Sequence, residues 1–221
     1  EQILNGVSVG APPDAFSPLG QDWGLTAFSP TALIDTGFAG FLGVLRAALR
    51  HAGGVRIDHV MGLARLWLVP PGASPREGVY VRYPLDDLLR LVALESWEHR
   101  AIVIGEDLGT LPDGFRDRLD AAEILGMRVL WFERDHEGAF TDPAQWSRRA
   151  VAMTTTHDLP TVVGWWQGRD IAWRHRLDRF PDAAAAEAEE AARASDRAAL
   201  WQAMRRSGAA SGEMPGLESA D

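Results

Sequence analysis

Hydrophobic positions along the 221-residue chain switch between helical and strand-like spacing. From Asp35 the spacing is helical: Phe38, Phe41, Leu42, Leu45 and Leu49 share one face, and Gly53 follows as a stop signal. A short run, Val55-Arg56-Ile57-Asp58-His59-Val60, then reads as a buried strand. Pro70-Pro71-Gly72 opens a loop, and a second helix starts near Pro84 with Leu85, Leu88, Leu89 and Val92 on one side. Ala101-Ile102-Val103-Ile104 is a continuous apolar strand, and a third helix runs from Pro112, as its first residue, to about Ala122. Met127 to Phe132 and Ala150 to Thr154 give two further strands. Apolar strands separated by helices predict an α/β fold with a parallel sheet covered on both faces.

The ends of the chain differ from this middle. Residues 1–34 are rich in Gly, Pro and polar residues, and the prolines argue against a regular helix or a central strand. An ordered binding loop is predicted there, because Asp14, Phe16, Gln21 and Trp23 supply a carboxylate, two rings and an amide. Residues 35–168 hold the strand–helix alternation. Residues 169–221 change composition: Asp182 to Ser195 is nearly all Ala and Glu, and a second short helix is expected over Asp196 to Arg206. This part reads as a helical subdomain with a frayed tail.

Composition narrows the function classes. Net charge is −9 with pI near 5.1, and no dense Lys/Arg cluster is present to track a phosphate backbone, so nucleic acid is not an expected partner. No apolar run reaches the length of a membrane span, and the chain opens on Glu1 with no signal pattern, which suggests a piece of a longer protein. With no cysteine there is no disulfide framework and no thiolate–metal site, which points to a cytoplasmic protein. The nine tryptophans can fill a core, and their flat faces also suit sugar rings.

Three of the four strands stop at ionisable clusters containing Arg56, Asp58, His59, Glu106, Asp107, His157 and Asp158. Strand C-termini are where α/β sheets and barrels place their chemistry. Arg56 and Asp58 are two apart and share a strand face, so the guanidinium favours an anionic Asp58. The pair is either an ordinary ion pair or a nucleophile with its support. Glu106 ends a very apolar strand, which suits an acid whose pKa is raised by desolvation. Asp107 alternates to the other side and reads as structural. Two carboxylates of this kind suit glycoside chemistry with retention. A metal-dependent barrel hydrolase using His59, Glu106, His157 and Asp158 as ligands stays open on residue types, although H-x-H and H-E-x-x-H spacings are absent.

Six motifs in fixed order carry a resemblance: Gly10-Ala11-Pro12-Pro13-Asp14, Gly20-Gln21-Asp22-Trp23-Gly24, Arg56-Ile57-Asp58-His59-Val60-Met61, Arg65-Leu66-Trp67, Val103 to Gly109 and Thr156-His157-Asp158-Leu159-Pro160-Thr161. Over about residues 5–170 the chain resembles the bacterial 4-α-glucanotransferases (amylomaltases), relatives of the α-amylases. The resemblance implies part of a (β/α)8 barrel, about its fourth to seventh strands, with an appended C-terminal helical segment. It implies transfer of α-1,4-glucan segments between maltooligosaccharides without cofactor or metal ion. By position, Asp58 is the nucleophile, Glu106 the general acid/base and Asp158 a third catalytic carboxylate that binds sugar hydroxyls. Arg56 and His157 support them, and His59 is either a glucan contact or a structural imidazole. Asp14, Phe16, Gln21 and Trp23 are the glucan-contacting residues of an overhanging loop. One departure is Leu25-Thr26-Ala27-Phe28, where the family usually has proline. A barrel fragment exposes sheet edges, so the chain is expected to self-associate and to be catalytically poor or inactive by itself, serving at most as a glucan-binding piece.

Overall fold

The computed structural model describes residues 2–14 and 17–218. Phe16, one of the glucan contacts expected above, lies outside the described residues. The chain divides into two compact units, Glu1–Met127 and Arg128–Asp221.

The first unit begins with strands β1 (Ser8–Ala11) and β2 (Gln21–Leu25), helices α1 (Pro30–Asp35) and α2 (Ala39–Leu49), and strand β3 (Gly54–Ile57). It continues with β4 (Arg65–Val69), β5 (Val79–Arg82), α3 (Leu85–His99), β6 (Ile102–Gly105), α4 (Phe115–Ala121) and β7 (Gly126–Val129), whose last residues pass into the second unit. The opening region is thus not all loop. β1 and β2 join β4 and β5 in an antiparallel sheet of order β2-β1-β4-β5. The prolines do not prevent this, because β1 ends before Pro12 and only Gly10 and Ala11 of the Gly/Pro-rich motif enter the sheet. Gly10 is required there: a Cβ would sit 2.0 Å from the Gln21 carbonyl oxygen, so any side chain would push β2 off β1.

The helical pattern from Asp35 corresponds to α2, and a separate short helix, α1, precedes it and ends at Asp35. Ser29 caps α1 by accepting from the Ala32 N–H. Gly37 and Phe38 then take left-handed conformations, and α2 starts anew at Ala39. Strand β3 pairs in parallel with β6 in the register Gly54↔Ile102, Val55↔Val103, Arg56↔Ile104, Ile57↔Gly105. Leu125 continues the parallel pairing beside Ile104. Helices α2, α3 and α4 cover one face of this pair, where Leu45, Leu49, Leu88, Val92, Val103 and Phe115 form the core. The other face carries Arg56 and Ile102, which is 58% exposed. The expectation of a sheet covered on both faces is corrected here, since only one face is covered by the helices of this unit.

Glu95 of α3 is fully buried in this unit, a position an amphipathic pattern cannot justify by itself. It accepts hydrogen bonds from Nε and Nη2 of Arg46 on α2, at 2.9 and 2.6 Å, and these tie the two helices together.

In the second unit β8 (Ala150–Met153) forms a two-stranded sheet with β7, whose Arg128 and Val129 belong to this unit. Helices α5 (Val162–Trp166), α6 (Arg169–Arg176) and α7 (Ala183–Arg206) follow. The two helices expected over Asp182 to Arg206 are one continuous 24-residue helix. Ser195 and Asp196 do not break it because Asp196 is held by both terminal nitrogens of Arg134, at 2.8 and 2.9 Å. Asp182 caps its start by accepting from the Ala185 N–H.

Candidate active site

The parallel register of β3 and β6 places Asp58 and Glu106 one residue past its last pair, on two neighbouring strand ends. The Glu106 N–H still donates to the Ile57 carbonyl, so the ladder continues to this point. Asp58 alternates with Arg56, and Glu106 with Ile104, so both carboxylates leave the same face of the pair. The charge of Asp58 acts on Glu106 across the two neighbouring strand ends.

The two carboxyl groups meet different surroundings. Asp58 is exposed and ion-paired, Arg56 Nη1 lying 2.6 Å from its Oδ1. Glu106 is half-buried, and its pKa is raised: burial pushes it up and the Asp58 charge adds to this, while two backbone N–H groups and Arg56 pull the other way. One N–H comes from Leu108, 2.8 Å from Oε1, and the other from His59, 2.9 Å from Oε2. Gly105 just before it is needed for close packing, since a Cβ would lie 2.9 Å from a methyl of the fully buried Val60.

His59 follows Asp58 in a left-handed conformation, φ 45° and ψ 59°. Its ring meets Trp23 edge-on at 5.1 Å between centroids, and burial lowers its pKa against the pull of Asp58. The Trp23 indole N–H donates to Gln21 Oε1 at 2.9 Å. So β2 presents Gln21 and Trp23 beside the residue that follows Asp58. Asp14 holds its own turn, with Oδ1 accepting from the Ser17 N–H at 2.6 Å.

Asp107 points away from the site and is 1% exposed. Its carboxylate accepts from the Met127 N–H at 2.7 Å and from Arg116 Nε at 2.9 Å, and so fixes the start of β7. Asp107→Ala removes the buried carboxylate that accepts from the Met127 N–H, a loss of about 1–3 kcal/mol for a charge-assisted bond. Urea unfolding checks this; an unchanged midpoint would show that water replaces the carboxylate without cost.

His157 and Asp158 belong to the second unit. They are both largely exposed, with His157 Nε2 3.2 Å from Asp158 Oδ2. The turn that carries them is closed by Thr155 Oγ1 donating to the Pro160 carbonyl and Thr156 Oγ1 accepting from the Asp158 N–H. Among the described residues, no three His, Asp or Glu side chains are grouped to hold a metal ion. Sequence reasoning missed the two backbone donors on Glu106, because main-chain N–H groups leave no mark in residue types.

Residues 2–219 match the sequence profile of the glycoside hydrolase 77 family, described as 4-alpha-glucanotransferase. The chain belongs to the 4-alpha-glucanotransferase family. It is 42% identical over 223 residues to the 4-alpha-glucanotransferase of Mycobacterium tuberculosis H37Rv, covering 99% of this chain and 30% of that protein. The Haemophilus influenzae 4-alpha-glucanotransferase is 42% identical over 170 residues, covering 77% of this chain and 24% of that protein. The crystal structure of amylomaltase from Corynebacterium glutamicum superposes with a TM-score of 0.91 at 33% identity, over 100% of this chain and 32% of that one. The chain therefore spans under a third of the length of these relatives. No helix among the described residues is long and apolar enough to cross a membrane.

Proposed function

We propose that this chain carries the nucleophile and the acid/base of a 4-α-glucanotransferase that acts on α-1,4-glucans by a retaining double displacement. The observation that carries the reading is the pairing of an exposed, Arg-supported Asp58 with a half-buried Glu106 of raised pKa on one face of two parallel strand ends. Asp58 attacks the anomeric carbon as the glycosidic C–O bond breaks, and Glu106 gives its proton to the departing oxygen. The 4-hydroxyl of a second glucan then returns a proton to Glu106 while its oxygen displaces Asp58 from the anomeric carbon. Atoms balance, and neither a metal ion nor a cofactor is required.

Asp158 is the third catalytic carboxylate in this reading, and His157 and Arg56 support substrate and nucleophile. Gln21 and Trp23 are the glucan contacts on β2, and their position beside His59 favours that role. Asp14 is a further glucan contact of the same region, in a turn that its own bond to the Ser17 N–H holds. We assign β3, β6, β7 and β8 to the fourth to seventh strands of a (β/α)8 barrel, whose interior would take up the exposed face with Arg56 and Ile102. That exposed face also supports self-association of the isolated chain.

The test is incubation with maltotriose followed by chromatography, on this chain and on a chimera in which it replaces the matching part of the Mycobacterium relative. The isolated chain is expected to leave maltotriose unchanged, and the chimera to yield glucose together with longer maltodextrins. A folded chimera that leaves maltotriose untouched would overturn the reading.

A further inference from the structure

Glu106 has both oxygens occupied by main-chain donors, and one donor belongs to a residue in a conformation that side chains avoid. His59 lies in the left-handed region, where a Cβ is crowded by the following carbonyl oxygen. With that backbone, the His59 N–H reaches Oε2 of Glu106 at 2.9 Å, and the Val60 N–H reaches the Glu106 carbonyl at 3.0 Å. The strand ends are thus joined by two consecutive amides of one turn. The imidazole that this turn carries is not aimed at either carboxylate. It sits edge-on against Trp23, whose own N–H is fixed on Gln21.

We propose that His59 is a positioning residue whose left-handed main chain, held by its ring against Trp23, fixes the Glu106 carboxyl group on two amides. This deepens the proposed function, in which Glu106 is the acid/base, and rests on that reading for its catalytic meaning. The geometry gives the imidazole an indirect task. The ring–ring contact offsets the strain of the left-handed turn, and the turn delivers the donor. A hydrogen bond from an amide favours the ionised carboxylate. The position and proton affinity of Glu106 therefore both depend on residue 59 through its backbone. The charged side chains acting on Glu106 are Asp58 and Arg56, and Trp23 meets the ring of His59, not the carboxyl group.

The backbone origin of the effect makes an unusual substitution pattern the test. Glycine adopts the left-handed region freely and keeps the N–H, whereas a β-branched residue resists it. The Glu106 carboxyl is followed by carbon-13 NMR against pH in this chain, its signal assigned by its loss in Glu106→Gln. His59→Val is expected to shift the Glu106 midpoint upward, because a donor to the ionised form is lost. Trp23→Ala is expected to shift it in the same direction and by less. His59→Gly, which removes the imidazole altogether, is expected to leave the midpoint where it is in the unaltered chain. A Glu106 midpoint unmoved by His59→Val, or moved equally by His59→Gly, would overturn the proposal. If His59→Val does not fold, Trp23→Ala against His59→Gly decides the same question. The titration uses no substrate. Its failure is therefore distinct from failure of the maltotriose test.

Discussion

Asp58→Asn is expected to lower glucan transfer in the chimera by about 10³-fold or more, because the carboxylate that the proposed mechanism uses as nucleophile becomes a poorly nucleophilic amide. Glu106→Gln is expected to cost about 10²–10⁴-fold, the range for losing a general acid. The two variants should differ in their dependence on pH. Burial raises the pKa of Glu106, with Asp58 adding to it, so the protonated acid persists above the ordinary glutamate range. Transfer should then fall on the alkaline side as pH rises through that raised value. In Glu106→Gln the alkaline limb should disappear from whatever residual rate remains, since the titrating group is gone. A leaving group that needs no proton, such as a glucosyl fluoride, should restore the first step in Glu106→Gln but not in Asp58→Asn. Equal rescue of both variants would remove the assignment of separate roles. The chromatographic maltotriose assay, run across pH, measures the parent profile.

Trp165→Ala is expected to destabilise the second unit by about 3–5 kcal/mol, the usual cost of truncating a buried tryptophan. Trp165 is 6% exposed on α5, and its ring stacks on Trp131 with centroids 4.5 Å apart and planes 24° from parallel. The guanidinium of Arg193 lies over the same ring, 4.7 Å from the centroid. Arg193 also donates to the Trp165 carbonyl at 2.8 Å and grips Asp170 with two bonds, at 2.9 and 2.7 Å. Removing the ring deprives Trp131 of its stacking partner and leaves Arg193 facing a void. Native domains are stable by only about 5–15 kcal/mol, so a loss of this size should bring unfolding of the unit close to ambient conditions. Urea unfolding followed by near-ultraviolet circular dichroism reads it directly. A loss below about 1 kcal/mol would show that the helices close the cavity without cost. The same cluster carries an acid signature. Burial pushes the Asp170 pKa up, but the bonds and charge of Arg193 outweigh it and hold the carboxyl below its usual value. A depressed carboxylate contributes stability above its unfolded pKa and loses it as pH falls through the folded one. The second unit should therefore weaken at acid pH below the ordinary aspartate range.

The placement of the charged groups at the strand ends was legible because it rests on residue types and alternation. Arg56-Ile57-Asp58 places guanidinium and carboxylate on one strand face by alternation alone, and the ion pair at 2.6 Å follows. The apolar run before Glu106 likewise implied a carboxyl group with a raised pKa, and alternation sent Asp107 inward to a buried position. The antiparallel sheet of β1, β2, β4 and β5 was not legible. Its strands are four or five residues long, β1 stops at a proline motif, and their pairing joins residues as distant as Ser8 and Val69. Local spacing carries no information on such partners. The unbroken α7 was missed for a similar reason, since Arg134 supports Asp196 from 62 residues away.

By itself the sequence determined the helix faces, the apolar strands, and which side chains could act as nucleophile and acid, because those properties depend on spacing and residue chemistry. Only the tertiary structure decided that β3 and β6 lie side by side in the register that brings Asp58 and Glu106 to one face. It also decided that two main-chain amides hold Glu106, and that Trp23 on a different sheet meets the ring of the residue supplying one of them. The reason is physical: a pKa and a hydrogen bond depend on neighbours in space, and packing brings Leu108 and His59 to Glu106 from 2 and 47 positions away and Trp23 to His59 from 36.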